Sequence, residues 1–471
     1  MKTVWGERLD RDHPLPEYPR PQLVRGDWSN LNGVWRYAFT AIDASGVADP
    51  LAVADPTRAP SAWDGDIVVP FSPETPLSGV GRTLQPDELL WYRRAFALPR
   101  PLRDGERALL HFGAVDQTCR VAVDGREVGL GGRAEGTRCA HSGGYLPFAI
   151  DITDALADSA REDGHEHELV VAVRDVTDAA WFSRGKQSRR RGGIWYSPQS
   201  GIWQTVWLEI VPAAHIARLS LVPHLDTGEL EITVHTVVPA TVDAGSPLAD
   251  VEVSTPGGSV AAARIEVDAP ARITIPAPVR SWSPDDPFLY DLTVRWGGDQ
   301  VDSYVGMRSF GVGVDANGHP RLLLNGRPHL PVGLLDQGYW PDGGYTAPSD
   351  EALAYDVRLA RRLGFTMLRK HIKVEPLRWY HHCDKLGMLV WQDAVNGGGS
   401  YGPAVFGPPA FVGSFLDDRH HRLTGRADAR GRAVFEEELR ETVEHLRSVP
   451  SLSLWVPFNE GWGQFDAARI A

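Results

Sequence analysis

The sequence predicts a multidomain β plus α/β chain: a jelly-roll β-sandwich, an immunoglobulin-like β-sandwich, then the first half of a (β/α)8 TIM barrel. Three observations lead there. Short apolar runs between turn residues fill the chain up to about residue 312. From Gly313 onward, strand-like runs alternate with amphipathic helical ones, the pattern of β-α-β units and a parallel sheet. The stretch SLSLWVPFNEGWG, Ser451 to Gly463, is an apolar strand of period two that stops at Asn459-Glu460 and turns at Gly461.

Residues 1–212 carry the runs LLWYRRAFAL, RALLHF, RVAV, REVGL, ELVVAV and TVWLEIV. Asp124-Gly125 between two of them is a two-residue hairpin signal. No long helical period interrupts the series, so a two-sheet sandwich of jelly-roll type accounts for it. Within it, the basic loop Gly185–Gly193 (GKQSRRRGG) reads as a solvated charge run or a ligand contact. Asp175 and Asp178, in VRDVTD, read as turn residues or as side chains reaching a neighbouring site.

Residues 213–312 hold about seven strand-like segments, the count and size of an immunoglobulin-like sandwich. Nothing in them looks chemical, and the module reads as a spacer.

Residues 313–471 alternate. After HLPVGLLD comes a helix over about 350–363, capped by Ser349, with Asp350 and Glu351 in its first turn and Gly364 as its stop. Strand FTMLRKHI follows, then a helix from near Pro376 to Gly387, strand MLVWQD, a glycine-rich loop and a helix over about 433–447. In such barrels the chemistry sits at the C-terminal strand ends. Asp336 and Gln337, Arg369 and His371, Trp391 and Asp393, and Asn459 and Glu460 all fall there. A carboxyl buried beside apolar and aromatic neighbours such as Trp462 has a raised pKa and can donate a proton near neutrality, which is the role expected of Glu460.

A length of 471 residues suggests about three domains of ~100–200 residues. The net charge of −13 argues against a nucleic-acid surface. No apolar run approaches the ~20 residues that span a bilayer, and the N-terminus lacks the apolar core of a signal peptide, so the expectation is a cytoplasmic protein without a membrane partner. Cys119, Cys139 and Cys383 have no metal spacing and read as reduced thiols. Core packing explains most of the 16 tryptophans, although indole faces also stack on sugars.

Taken together, the chain resembles glycoside hydrolase family 2, the β-galactosidase, β-glucuronidase and β-mannosidase group. PRPQLVRGDWSNLNGVWRYAF, HFGAVDQTCRVAVDGREVG, HSGGYLPFAIDIT and SGIWQTVWLEIV look like that family's sugar-binding domain. SWSPDDPFLYDLTV and VGMRSFGV look like the end of its immunoglobulin-like domain, and LRKHIKVEPLRWYHHCDKLGMLVWQD and WVPFNEGWG like its barrel motifs. The resemblance implies a retaining exo-β-glycosidase, β-galactosidase-like, that hydrolyses terminal non-reducing sugars. It implies Glu460 as general acid/base, Asn459 on the sugar 2-hydroxyl, Arg369 as a support and His371 as a substrate contact. It places Asp178 where some members send a substrate-binding Asp.

Three departures stand out. LLDQGYWPDGGYTAP, with Asp336, Gln337, Tyr339 and Trp340, replaces an Arg-His-rich segment. Asp393 stands where many members have Glu. No convincing magnesium ligands lie near Asp393–Gly399, so neither metal nor cofactor is expected.

A full barrel needs ~250 residues, more than Gly313–Ala471 supplies. The family's nucleophilic Glu is therefore expected beyond this sequence, and the chain alone is expected to be an inactive fragment with open sheet edges that associates. Asp393 and Glu375 are expected as supports rather than as that nucleophile. The competing classes are a non-catalytic carbohydrate-binding protein using the jelly roll, and a structural subunit completed by a partner chain. A homo-oligomer is left open.

Overall fold

The computed structural model describes residues 1–42, 49–129, 141–240, 242, 245–399 and 417–471. Cys139 lies outside them, while Cys119 and Cys383 are buried free thiols.

Residues 28–212 form two larger antiparallel sheets and a two-stranded one of Val115–Asp116 with Gly201–Ile202. One orders Trp28–Asn30, Val206–Pro212, Glu106–Phe112 and Phe148–Asp151. The other runs Gly65–Val69, Gly33–Ala41, Glu88–Phe96, His167–Arg174, Thr118–Val123 and Arg126–Val128, with His141–Ser142 beside Thr118–Val123. Alternate residues face inward, so Trp35, Tyr92, Leu110, Phe112, Val121 and Val171 form one buried core. The Asp124-Gly125 turn has φ of 48° and 72° and pairs Val123 with Arg126, the tight hairpin its sequence dictates.

Seven strands between His215 and Val305 form sheets of three and four around a second apolar core that includes Trp296 and Tyr290. The hairpin of Phe310–Val314 and Pro320–Leu324 runs across the expected boundary at residue 312. Its Val312 and Val314 are 74% and 70% exposed.

A four-stranded parallel sheet follows: β1 (Gly333–Asp336), β2 (Met367–Lys370), β3 (Leu389–Asp393) and β4 (Leu452–Val456), in that order. Helices α1 (Asp350–Arg362), α2 (Leu377–Leu386) and α3 (Ala429–Leu446) connect them. Ser349 caps α1 by accepting from the Ala352 amide at 3.1 Å. Gly387 ends α2 with φ 70°, the left-handed cap that glycine adopts without strain. Helix α3 starts four residues before the expected 433, because Asp428 accepts from the Arg430 and Gly431 amides and starts the helix ahead of the apolar periodicity. Asp350 accepts hydrogen bonds from Arg378 and His382 and so locks α1 to α2.

No described helix is long and apolar enough to cross a membrane.

Candidate active site

Alternation along the strands decides what reaches the site. In β2, Arg369 points to one face of the sheet, while Lys370 is buried on the other beneath Trp379. In β3, Asp393 shares the Arg369 face. Arg369 donates from Nε to Asp393 Oδ1 at 2.9 Å and from Nη2 to Asp393 Oδ2 at 3.1 Å. The same Nη2 donates to Asn459 Oδ1 at 2.8 Å. One guanidinium thus ties together residues from the C-terminal ends of β2, β3 and β4, and its fork matches the carboxylate edge as a point charge would not.

Burial pushes the Asp393 carboxyl up to about 6 against the opposing pull of Arg369, with the nearby Glu460 carboxylate adding to the rise. His371, two residues beyond Arg369, is buried. Desolvation drives its imidazole down to about 4, helped by the charges of Lys186 and Arg369, while Asn459 opposes the shift. The ring is therefore neutral at pH 7, and its Nδ1 has no hydrogen-bond partner among the described residues.

Glu460 corrects a sequence expectation. Asn459 is buried, but Glu460 beside it is exposed, so the burial that was to raise its pKa is not there. The chain turns sharply, with the Trp462 amide donating to the Asn459 carbonyl at 2.9 Å, and this swings residue 460 outward. Glu460 adopts φ 52°, a left-handed conformation that costs a non-glycine residue about 1–2 kcal/mol. It stays within electrostatic range of Asp393 and of Lys186.

The other expected site residues divide. Trp391 stands in register with Arg369 and is half-buried against Trp282, Met367 and Leu389. Trp462 sits 5.5 Å from Trp195, between ring centroids. Asp336 is not brought to the Arg369 cluster. It pairs in register with Lys370 and bonds that ammonium at 3.0 Å, on the opposite face. Lys370 also bonds Glu375 at 2.7 Å, which makes both carboxylates braces of a buried cation. Gln337 is half-buried, its Oε1 without a partner among the described residues. Lys373 holds the following loop through the carbonyls of Gly338 and Tyr345. Asp178 is engaged by Ser188 at 2.9 Å and Arg189 at 2.6 Å, both in the basic loop. Partial burial pushes its carboxyl up, but these bonds outweigh that and hold it below the usual range. Among the described residues no group of three His, Cys, Asp or Glu side chains is placed to hold a metal ion.

Three side chains that sequence reasoning did not single out stand at the rim: Lys186, Trp195 and Tyr196. Lys186 arrives on the basic loop from the first sandwich, and Trp195 and Tyr196 follow just after it. The available signal was the loop's glycine bracketing and the aromatic pair just after it. The loop is pinned where the Arg184 and Gly185 amides donate to the Asn396 carbonyl at 2.8 and 2.9 Å, and Tyr196 stacks on Tyr339 at 3.8 Å. At Gly185 φ is +58°, and a Cβ would lie 2.8 Å from the Ile372 carbonyl oxygen and 3.0 Å from the Tyr345 hydroxyl. Gly185→Ala is expected to cost about 1–3 kcal/mol. Denaturant unfolding checks it, and an unchanged midpoint would refute the close approach.

Comparison with known proteins matches this architecture. A multidomain β chain with a polar cluster at parallel strand ends is the class that fold and site define. Residues 214–311 match the family model described as "Glycosyl hydrolases family 2". A β-galactosidase of Thermoanaerobacter pseudethanolicus is 24% identical over 327 residues, covering 64% of this chain and 39% of the relative. A putative β-glucuronidase of Formosa agariphila is 24% identical, covering 77% and 40%. The chain thus spans about two fifths of the length of these curated relatives. Among solved structures, a β-glucuronidase of an uncultured Clostridium species superposes with a TM-score of 0.65 at 20% identity, covering 92% of this chain and 67% of that one. The Ruminococcus gnavus β-glucuronidase crystallised with uronic isofagomine gives 0.67 at 16%, covering 94% and 69%. At these identities the superpositions show the fold alone.

Proposed function

We propose that this chain forms the N-terminal portion of a retaining exo-β-glycosidase acting on terminal sugars, with a β-galactoside as the leading substrate. The reading takes residues 1–212 as a sugar-binding jelly roll, 213–312 as an immunoglobulin-like spacer and 313–471 as the first half of a β/α barrel. The observation that carries it is the Arg369–Asp393–Asn459 constellation with Glu460 at its edge.

The Arg369 fork fixes the Asn459 side chain with its carbonyl turned inward, leaving the amide N–H to donate to the sugar 2-hydroxyl. That bond strengthens as oxocarbenium charge develops at the neighbouring anomeric carbon. Glu460 gives its proton to the departing glycosidic oxygen as the C–O bond breaks, and the resulting carboxylate then takes a proton from water in the second displacement. Asp393 is held on both oxygens by Arg369, which makes it a positioning group rather than a nucleophile. The attacking carboxylate is supplied from outside these four strands, ~5–5.5 Å from the Glu460 carboxyl. His371, a neutral ring whose buried Nδ1 has no hydrogen-bond partner among the described residues, supplies the sugar contact.

A series of aryl glycosides tests this with Glu460→Gln in the complete enzyme. Turnover of poor leaving groups is expected to fall most, because activated phenols depart without a proton. Equal loss across the series contradicts the assigned role.

A further inference from the structure

We propose that the basic loop Lys186–Arg191 is a subsite for an anionic group, carboxylate or sulfate, on the leaving-group side of the scissile bond. This rests on the glycosidase reading above and extends it to what the enzyme cuts the sugar from.

The chain as a whole carries a net charge of −13, yet this loop packs Lys186, Arg189, Arg190 and Arg191 into six residues. The structure does not neutralise them evenly. Arg189 is paired with Asp178, but Lys186, Arg190 and Arg191 make no salt bridge with any described carboxylate. Their placement is fixed. The loop's start is tied to the strand-end region by the bridge between Ser183 and Gly397 and by the Asn396 carbonyl, and Gln187 is anchored on Asp116 at 2.7 Å. Its far end is held by Trp195 against Trp462 and Tyr196 on Tyr339. A solvated charge run needs none of these anchors.

Depth then assigns the roles. Lys186 is half-buried and within electrostatic range of both Glu460 and His371, on a loop start held to the strand-end region by the Asn396 carbonyl. Arg190 and Arg191 are exposed, four and five residues further along the same anchored loop. An exo-acting site encloses the terminal sugar and leaves the rest of the substrate protruding. The cations at the rim therefore face the leaving group, and exposed cations facing a ligand attract anions, more strongly at low salt. Trp195 offers an indole face at the same rim.

Non-hydrolysable thioglycosides test this on the full chain and the complete enzyme. The probes are 4-carboxyphenyl, 4-sulfophenyl and neutral 4-carbamoylphenyl 1-thio-β-glycosides in the galacto, gluco and manno series, with Kd read at low and high ionic strength. The anionic forms are expected to bind roughly tenfold more tightly than the carbamoyl form at low salt. That ratio should shrink as salt rises, vanish in Arg190→Glu/Arg191→Glu and persist in Arg190→Lys/Arg191→Lys. A preference for only the carboxylate or only the sulfonate supports the subsite and names its group. Equal affinities, no binding of any anionic probe at millimolar concentration, or a preference untouched by charge reversal overturns it. The thioether is not cleaved, so the ratio is read whether or not Glu460 donates a proton. Full activity of Glu460→Gln on O-glycosides alongside an intact ratio overturns the catalytic reading alone.

Discussion

Arg369→Ala is expected to destabilise the protein by about 3–5 kcal/mol and to remove the sugar binding proposed for the strand ends. Asp393 is fully buried, and Arg369 is the cation that bonds both of its oxygens. Truncation leaves a buried carboxylate without its counter-charge and frees the Asn459 side chain. The Asp393 carboxyl, already at about 6, then rises further and takes up a proton near neutrality. Arg369→Lys is expected to recover part of the stability, since one ammonium restores the charge without the fork that spans Asp393 and Asn459. Urea unfolding at pH 7 measures both variants, and a loss below about 1 kcal/mol for the alanine form would contradict the buried-pair account.

Arg25→Met is the second large effect, again about 3–5 kcal/mol, and it acts far from the site. Arg25 is buried where the two sandwiches meet. It forks onto Asp299 at 3.0 and 2.7 Å, reaches Glu209 at 2.9 Å and bonds the Ile216 carbonyl. Glu209 belongs to the first sandwich and keeps Arg20 at 3.0 Å, so the main orphan is Asp299 in the second. Arg25→Met with Asp299→Leu removes both charges and is expected to regain a substantial share of the loss, because replacing a buried pair is far cheaper than halving it. Calorimetry on the single and double variants separates the cases. If the double variant is no more stable than the single one, the unpaired charge is not the cause.

Periodicity made the strands legible. The seven segments of the second sandwich follow apolar alternation, the four parallel strands are short apolar runs set between helical ones, and α1 and α2 start and stop at the capping residues their sequences advertise. The start of α3 was missed because its first turn, ARGR, has no apolar face and is placed by Asp428 alone. At the site, Arg369, Asp393 and Asn459 could be grouped from strand-end position. Asp336 could not be excluded that way, since which face a strand-end residue takes depends on register, and one residue of shift turns it from the Arg369 side to the Lys370 side. The exposure of Glu460 was hidden for a related reason: the turn at 459–462 sends adjacent residues in opposite directions. The approach of Lys186 and Trp195 is a contact between segments over 260 residues apart in sequence, with no local pattern to announce it.

The proton-transfer role proposed for residue 460 is tested most directly by azide rescue of Glu460→Ala in the complete enzyme, using an aryl glycoside with an activated leaving group. Removing the carboxyl leaves room for a small anion and takes away the charge that would repel it. Azide is then expected to restore turnover in a concentration-dependent way and to yield a glycosyl azide of retained β configuration. No acceleration by azide, or a product of inverted configuration, would contradict the assignment.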